Sequence, residues 1–475
     1  MADTARSRVG AATLFETIWR RHVVVEEEDD AAVLAVDRVF LHERTGAVAL
    51  KSLRERGYRV FDPTRVFGTV DHIVDTRPGR GDDTLMPGGR QFIVETRTET
   101  RAAGIRLFDV NDPEQGIVHV VSPELGIVLP GTTVVCPDSH TCTQGALGSL
   151  AWGIGSTEAE EALATGSLRV RKPRTLRVTF DGHLSAGVSA KDLSLALIHR
   201  YGSSGGNGFV LEYAGPVVRG LDMEARLTLC NMTTEFSAMT GLIAPDEVTF
   251  EYLAGRRYAP REARWLEAVA DWRSLRTDEG ATFDREINID TAEVTPMITW
   301  GTNPAHAVSV SEVVPAYEDS RTSREAYDRA LAYMGLEPGT RLSTLKIDAA
   351  FIGSCTNSRL SDLRRAARVL AGRRVAPGVK ALCVPGSTTV KRLAEAEGLD
   401  SIFRSAGFEW RESGCSLCFY AGGETFGRQQ RVVSSTNRNF EGRQGPQIRT
   451  HIASPETVAA SAIAGRIADP RVLLN

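Results

Sequence analysis

No stretch of this sequence is apolar and long enough to span a bilayer. The long run free of Asp, Glu, Lys and Arg, residues 139–157, is punctuated by glycine and too polar for a membrane span. The N-terminus, MADTARSRVGAATLFETIWR, lacks the apolar core of a secretory signal, because Glu16 interrupts its only candidate stretch. A basic excess is missing as well. The 56 Lys and Arg stand against 60 Asp and Glu, giving a net charge of −4. That balance argues against a nucleic-acid scaffold and leaves room for a local basic pocket around an anionic substrate. Nor is there an even set of cysteines. Seven in a long chain argue against a disulfide framework and leave reduced thiols for metal. These absences predict a cytoplasmic protein with no membrane and no nucleic-acid partner.

What is present is ordinary globular material, 42% hydrophobic and 24% charged, in 475 residues. That length suggests about two to four domains. The C-terminal third alternates strand and helix. Residues 345–352 (LKIDAAFI) read as a buried strand, 361–370 as an amphipathic helix, 379–384 as a second strand, and a helix follows Pro385-Gly386-Ser387. Ser454-Pro455-Glu456 is a helix start, with an N-cap serine, proline at the first helical position and an acid in the first turn. In the middle, LRVTFDG reads as a strand, KDLSLALIHRY as a helix and GSSGGNG as a plain loop, since it lacks the Lys-Ser/Thr ending of a nucleotide loop. Repeated strand–turn–helix units predict an α/β fold with largely parallel strands. The acidic run 26–30 reads as a solvated turn.

Three cysteines carry the chemistry. Cys355, in FIGSCTNSRL, follows a buried strand and precedes a helix, at the carboxyl-end crevice where open α/β sheets bind ligands. Thr356, Asn357 and Ser358 are expected at the start of that helix, where free N–H groups would depress the Cys355 pKa. Cys415 and Cys418 form a CxxC in GCSLC. Three thiolates without an obvious fourth suit a metal centre with one open position, and spacing alone does not choose between iron and zinc. A structural zinc site would need a fourth ligand such as a nearby histidine, and a CxxC can also be a redox pair. Asp138, Ser139 and His140, after another apolar strand, offer a carboxylate, a hydroxyl and an imidazole to a water or a hydroxyl, or are a capping pair beside a packed histidine. Asp71-His72 poses the same question, since an acid beside a histidine can tune it as a proton donor. NRNFEGR places Arg438 and Arg443 in one loop, either as forks for carboxylates or as a surface salt-bridge loop.

FIGSCTNSR, GCSLC, STNRNFEGRQG and CPDSHTCTQGALGSLAWGIGSTE together resemble the aconitase superfamily. CNMTTEF, LRTDEGATFD, TPMITWGTNP and THIASPETVAASAIAG extend the likeness from about residue 12 to the C-terminus. Within the superfamily the likeness is to the branch that isomerises 2-isopropylmalate and 3-isopropylmalate in leucine biosynthesis by dehydration and rehydration. The resemblance implies three α/β/α layered domains around a cluster-binding cleft, drawn at 1–175, 176–290 and 291–475. It implies a 4Fe–4S cluster held by Cys355, Cys415 and Cys418, with one iron left for the substrate hydroxyl and carboxylate. Asp71 and His72 match the pair that protonates the departing hydroxyl. Asp138, His140, His119 and Glu235 match residues that hydrogen-bond the water, the hydroxyl and the carboxylates. Ser139, Asn231 and His42 match pocket positions, and Asn437, Arg438 and Arg443 match the loop that binds substrate and cluster.

The chain ends after SPETVAASAIAGRIADPRVLLN, so the swivelling domain of the superfamily is expected on a separate small subunit, a heteromeric partner. Departures from the usual pattern fall at Ile73, Asp75, Gly166 and the segment FYAGGETFGRQQRVVSST after Cys418. They raise the alternative of a paralogue acting on another 2-alkylmalate or a homocitrate-like acid. A cluster-free RNA-binding relative is the other alternative, and the acidic balance counts against it.

Overall fold

The computed structural model describes residues 10–320 and 322–474. Three parallel sheets organise them. The first runs Arg106–Phe108, Val66–Thr69, Arg38–His42, Thr133–Cys136, Leu150–Gly153 in spatial order. The second runs Thr240–Leu242, Phe209–Ala214, Arg174–Asp181, Arg285–Asp290. The third runs Phe408–Trp410, Lys380–Cys383, Ala349–Ile352, Arg431–Ser434, Arg449–Ile452. Central strands such as VFGT, TVVC and AAFI are buried at every residue, as parallel strands covered on both faces must be. A small antiparallel sheet (Val23–Glu26, Ala31–Ala35, Ser167–Arg171) and a short pair (Met297–Thr299, Ala307–Ser309) complete the framework. One hydrophobic core runs through the first two sheets and a second fills the space around the third.

The local sequence explains the elements around the third sheet. Helix Leu360–Leu370 buries Leu363, Ala366, Ala367 and Leu370, one helical face, and turns most of its arginines outward. Helix Pro455–Ala464 begins as its sequence predicts: the Ser454 hydroxyl accepts from the Thr457 N–H, and Pro455 takes the first position. It ends on Gly465 at φ 65°, a left-handed cap that glycine adopts without strain. The strand expected over 345–352 starts only at Ala349. Its first residues bond elsewhere, with Lys346 bridging Arg466 and the Ile347 N–H reaching the Gly465 carbonyl.

In the first and third sheets, the carboxyl ends of the strands lead into segments that meet at one cleft. His42 ends its strand, Asp71 and His72 follow Thr69, and Asp138 follows Cys136. From the other side Cys355 follows Ile352, and Asn437 and Arg438 follow Ser434. Gly153 permits the close approach on the first side, since a Cβ there would stand 2.6 Å from the Asp138 carbonyl oxygen.

Candidate functional site

The third sheet supplies a sulfur wall. Cys355, Cys415 and Cys418 are buried, unpaired by disulfide, and face one cavity of about 310 Å³. Each thiol has a polar neighbour. Asn231 Nδ2 donates to Cys355 Sγ at 3.2 Å and Asn437 Nδ2 at 3.5 Å. Arg443 reaches Cys418 Sγ at 3.7 Å, and Cys415 Sγ lies 4.0 Å from Asp71 Oδ2. Ser354 (φ 83°) and Ser416 (φ 46°) hold left-handed backbone beside these cysteines. Such non-glycine geometry costs about 1–3 kcal/mol and marks loops held by their surroundings.

The depressed thiol pKa expected at Cys355 is not found. Burial, with Cys418 adding to it, pushes the thiol up to about 12. Burial likewise lifts Cys415 well above the usual thiol range, helped by the Asp71 carboxylate. The reason is local. Thr356, Asn357 and Ser358 precede the helix, which starts at Leu360, and Asp362 already caps the Arg359 N–H at 3.1 Å. The start of this helix thus lies past the sulfur, with its cap already taken by Asp362. Thiolates in this wall therefore need a cation beside them.

The first sheet supplies an imidazole–carboxylate wall. His72 lies between two acids, with Nδ1 2.6 Å from Asp71 Oδ1 and Nε2 3.2 Å from Asp138 Oδ2. Burial opposes charge on His72, yet the Asp71 carboxylate and the hydrogen bonds to Asp138 and Asp71 outweigh it and hold the pKa well above the usual value. Asp138 is also approached by His119 Nε2 at 3.0 Å and accepts the His140 N–H at 2.7 Å. Burial would raise its pKa, but the His119 charge and the three imidazoles hold it well below the carboxylate range. His42 stacks on His72 with ring centroids 4.1 Å apart. Burial and then the His72 charge bring its pKa to about 4, so His42 is neutral.

The second sheet's helices close the floor. Helix Met223–Asn231 delivers Asn231, and the following turn delivers Glu235, 2.8 Å from His140 Nε2 and 2.7 Å from Arg438 Nε. Burial pushes Glu235 up, but the bond to His140 and the nearby charges leave it lowered and ionised. Arg438 also donates to Ser139 Oγ at 2.9 Å. The residues singled out in the sequence thus converge. Sequence neighbours Asp71 and His72 do touch, and Asp138, Ser139 and His140 serve three partners rather than one.

The donor set bears on which metal the site could hold. A single ion with Cys bonds of about 2.3 Å can span at most ~4.6 Å between two sulfurs. Among the described residues, the set whose ligand atoms all lie within 4.8 Å of one another is His42, Glu43, Asp71 and His72, not the cysteines. The three sulfurs line one cavity without forming so compact a set. The four-residue set is a proton network whose atoms mostly satisfy each other: Glu43 accepts the Asp71 and Ile73 N–H groups at 3.0 and 2.5 Å. Arg443 Nε and Asn437 Oδ1, buried beside the cysteines, have no hydrogen-bond partner among the described residues. Larger hollows of about 610, 470 and 440 Å³ lie elsewhere and contain none of these groups.

Sequence reading missed four residues. Glu43 follows His42 directly, and an acid after a buried strand was the available signal. Arg44 and Phe419 line the cavity, and the Phe419 ring carries a guanidinium on Arg44 and another on Arg443, each 4.5 Å from its centroid. Lys191 is fully buried on helix Ala190–Tyr201, and burial lowers its pKa to about 7. Nothing local announces it, because its neighbour Asp192 is explained by the capping box with Ser189.

A family model described as the aconitase family (aconitate hydratase) matches residues 16–465. A relative from Bradyrhizobium diazoefficiens, described as a 3-isopropylmalate dehydratase large subunit 1, is 53% identical over 463 residues, covering 97% of each chain. Another from Roseiflexus castenholzii, described as a 3-isopropylmalate dehydratase large subunit, is 50% identical over 466 residues, 97% of this chain and 98% of the relative.

Proposed function

This chain belongs to the aconitase family, and from that premise we propose that it is the large, catalytic subunit of a 3-isopropylmalate dehydratase. It is a hydro-lyase that interconverts 2-isopropylmalate and 3-isopropylmalate through 2-isopropylmaleate in leucine biosynthesis. The observation that carries the reading is the meeting of a three-cysteine wall with an imidazole–carboxylate wall across one cavity.

Cys355, Cys415 and Cys418 would hold an iron–sulfur cluster, which we take to be 4Fe–4S from the likeness to the aconitase family. When bound, such a cluster supplies Lewis acidity toward a hydroxyl and a carboxylate. The protein's own groups do the rest. Arg443 and Arg438 receive the two carboxylates, and a fork suits each better than a point charge. His72, kept protonated by Asp71 and Asp138, gives its proton to the departing hydroxyl oxygen. Asp138 and Glu235, kept ionised, accept from the hydroxyl and the released water. Ser139, His119, His140, Asn231 and Asn437 hold these groups in place, and neutral His42 backs His72 by stacking.

The base for the carbon-bound proton is assigned to a separate small subunit carrying the swivel domain, so that the cavity closes at the subunit junction. We propose domain divisions at 175 and 290; one large sheet falls mostly within each, although strand Arg174–Asp181 of the second sheet begins before the division at 175. No helix among the described residues is long and apolar enough to cross a membrane. All seven cysteines are free, which suits a reducing cytoplasm.

A second reading has its own support. Arg44 is exposed at the cavity, stacks on Phe419 and has no carboxylate in ion-pair range among the described residues. That favours a homocitrate-like acid, whose third carboxylate suits a free guanidinium. The test is anaerobic reconstitution with iron, sulfide and the candidate small subunit, followed by a panel of hydroxy acids assayed for alkene absorbance. Brown protein and fastest turnover of isopropylmalate are expected. Colourless, iron-free protein overturns the reading, and preference for another acid selects the second.

A further inference from the structure

Lys191 is a buried cation that the proposed reaction does not use. Its ammonium is 0% exposed and directs its donors to Asn357 Oδ1 at 3.2 Å and to the Ser435 and Thr436 carbonyls at 2.9 and 2.6 Å. All three acceptors are neutral, and no carboxylate lies in ion-pair range of the ammonium among the described residues. A buried lysine without an ionic partner is costly, and its neutral amine would be the easier form to bury.

The acceptors point to what compensates it. Asn357 belongs to the loop that carries Cys355. Ser435 and Thr436 lead into Asn437, which donates to Cys355 Sγ. Lys191, from a helix beside the second sheet, thus clamps together two segments of the third that surround one sulfur ligand. Burial is the main influence on the ammonium; among charged neighbours Asp362 acts most and Cys355, once a thiolate, next. An inorganic centre bound by three thiolates brings net negative charge to that place, and asparagine amides alone do not offset it.

We infer that Lys191 is the fixed counter-charge of the thiolate-held centre, a positioning residue that sets the reduction potential of the cluster without touching substrate. The inference rests on the iron–sulfur reading above. A cation in a medium of low dielectric favours the more negative, reduced state, so its removal shifts the potential downward.

The experiment compares wild type, Lys191→Met and Lys191→Gln after anaerobic reconstitution with iron and sulfide. Cluster content and thermal midpoint are recorded beside the potential from spectroelectrochemistry. Met removes charge and donors, whereas Gln keeps two N–H donors. Both variants are expected to hold cluster and to shift the oxidised–reduced equilibrium at least tenfold, ~59 mV to the negative for one electron. Iron is expected to be lost faster from both. Unchanged potentials in loaded variants overturn the inference, and so does recovery of the wild-type potential by Gln alone, which would make Lys191 a neutral tether. Asn357→Asp keeps the lysine and opposes its charge. It is the second route if loss of the ammonium unfolds the chain, with the same negative shift expected and an unchanged potential overturning. Wild type that binds no iron sinks the proposed function and this inference with it. Loaded wild type with unshifted variants sinks this inference alone.

Discussion

The two walls of the cavity are built alike and charged oppositely in design. Both stand at the carboxyl ends of parallel strands, yet Asp71, His72, Asp138 and Glu235 stay charged in one, while burial pushes the Cys355 and Cys415 thiols up in the other. In the imidazole wall three buried carboxylates meet imidazoles: Asp71 and Asp138 flank His72, and Glu235 meets His140, whereas Glu43, which meets only backbone N–H groups, is pushed up to about 7 by burial. That mutual pairing keeps acids ionised at full burial. In the sulfur wall no side-chain cation lies as close, and burial raises Cys355 and Cys415. Burial by itself does not decide charge; the partner within hydrogen-bond reach does.

Removing a sulfur should break the contrast most severely. Cys415→Ser is expected to abolish hydro-lyase activity and lower iron content while the thermal midpoint of the metal-free chain stays close to wild type. Metal analysis and calorimetry check both halves. Next is the proton wall. His72→Asn should lower kcat by roughly 10²–10⁴-fold, the usual range for a positioned acid, with cluster spectra retained. Arg438→Lys should raise KM about tenfold with a smaller change in kcat, since an ammonium cannot match a fork against carboxylate and Glu235 together. Steady-state kinetics with the small subunit present measures each.

A milder test uses pH. The His72 pKa is raised in the folded chain, so the stabilisation from its pair with Asp71 is complete below about pH 6.5, the unfolded imidazole value. It fades as pH rises through the folded value. The difference in urea midpoint between wild type and His72→Gln should therefore shrink on the alkaline side. The smallest effect is expected far from both walls. Ser454→Ala removes an N-cap and should cost about 1 kcal/mol in urea titration with iron content unchanged.

Much of the sulfur wall was legible in the sequence because its signals are local. A strand, a turn and a cysteine lie in one decapeptide, and the CxxC is contiguous. Asp71 and His72 were visible as neighbours, but their 2.6 Å contact was not, since adjacent residues need not touch. The error at Cys355 has a similar origin. Helix periodicity places the element, yet whether its first N–H groups are free depends on Asp362 turning back to cap Arg359. The late start of the strand at Ala349 likewise depends on bonds to Gly465 and Arg466.

Sequence alone determined the α/β alternation, the helix starting at Ser454 and which three cysteines to look for at one site. Those follow from periodicity, caps and residue chemistry within a few positions of one another. Only the tertiary structure decided which acid faces which imidazole, that the three sulfurs line one cavity, and that Lys191 is hydrogen-bonded to the two segments beside Cys355. Such pairings join residues from separate sheets, and the energy of a buried charge is set by what the fold brings to it rather than by its neighbours along the chain.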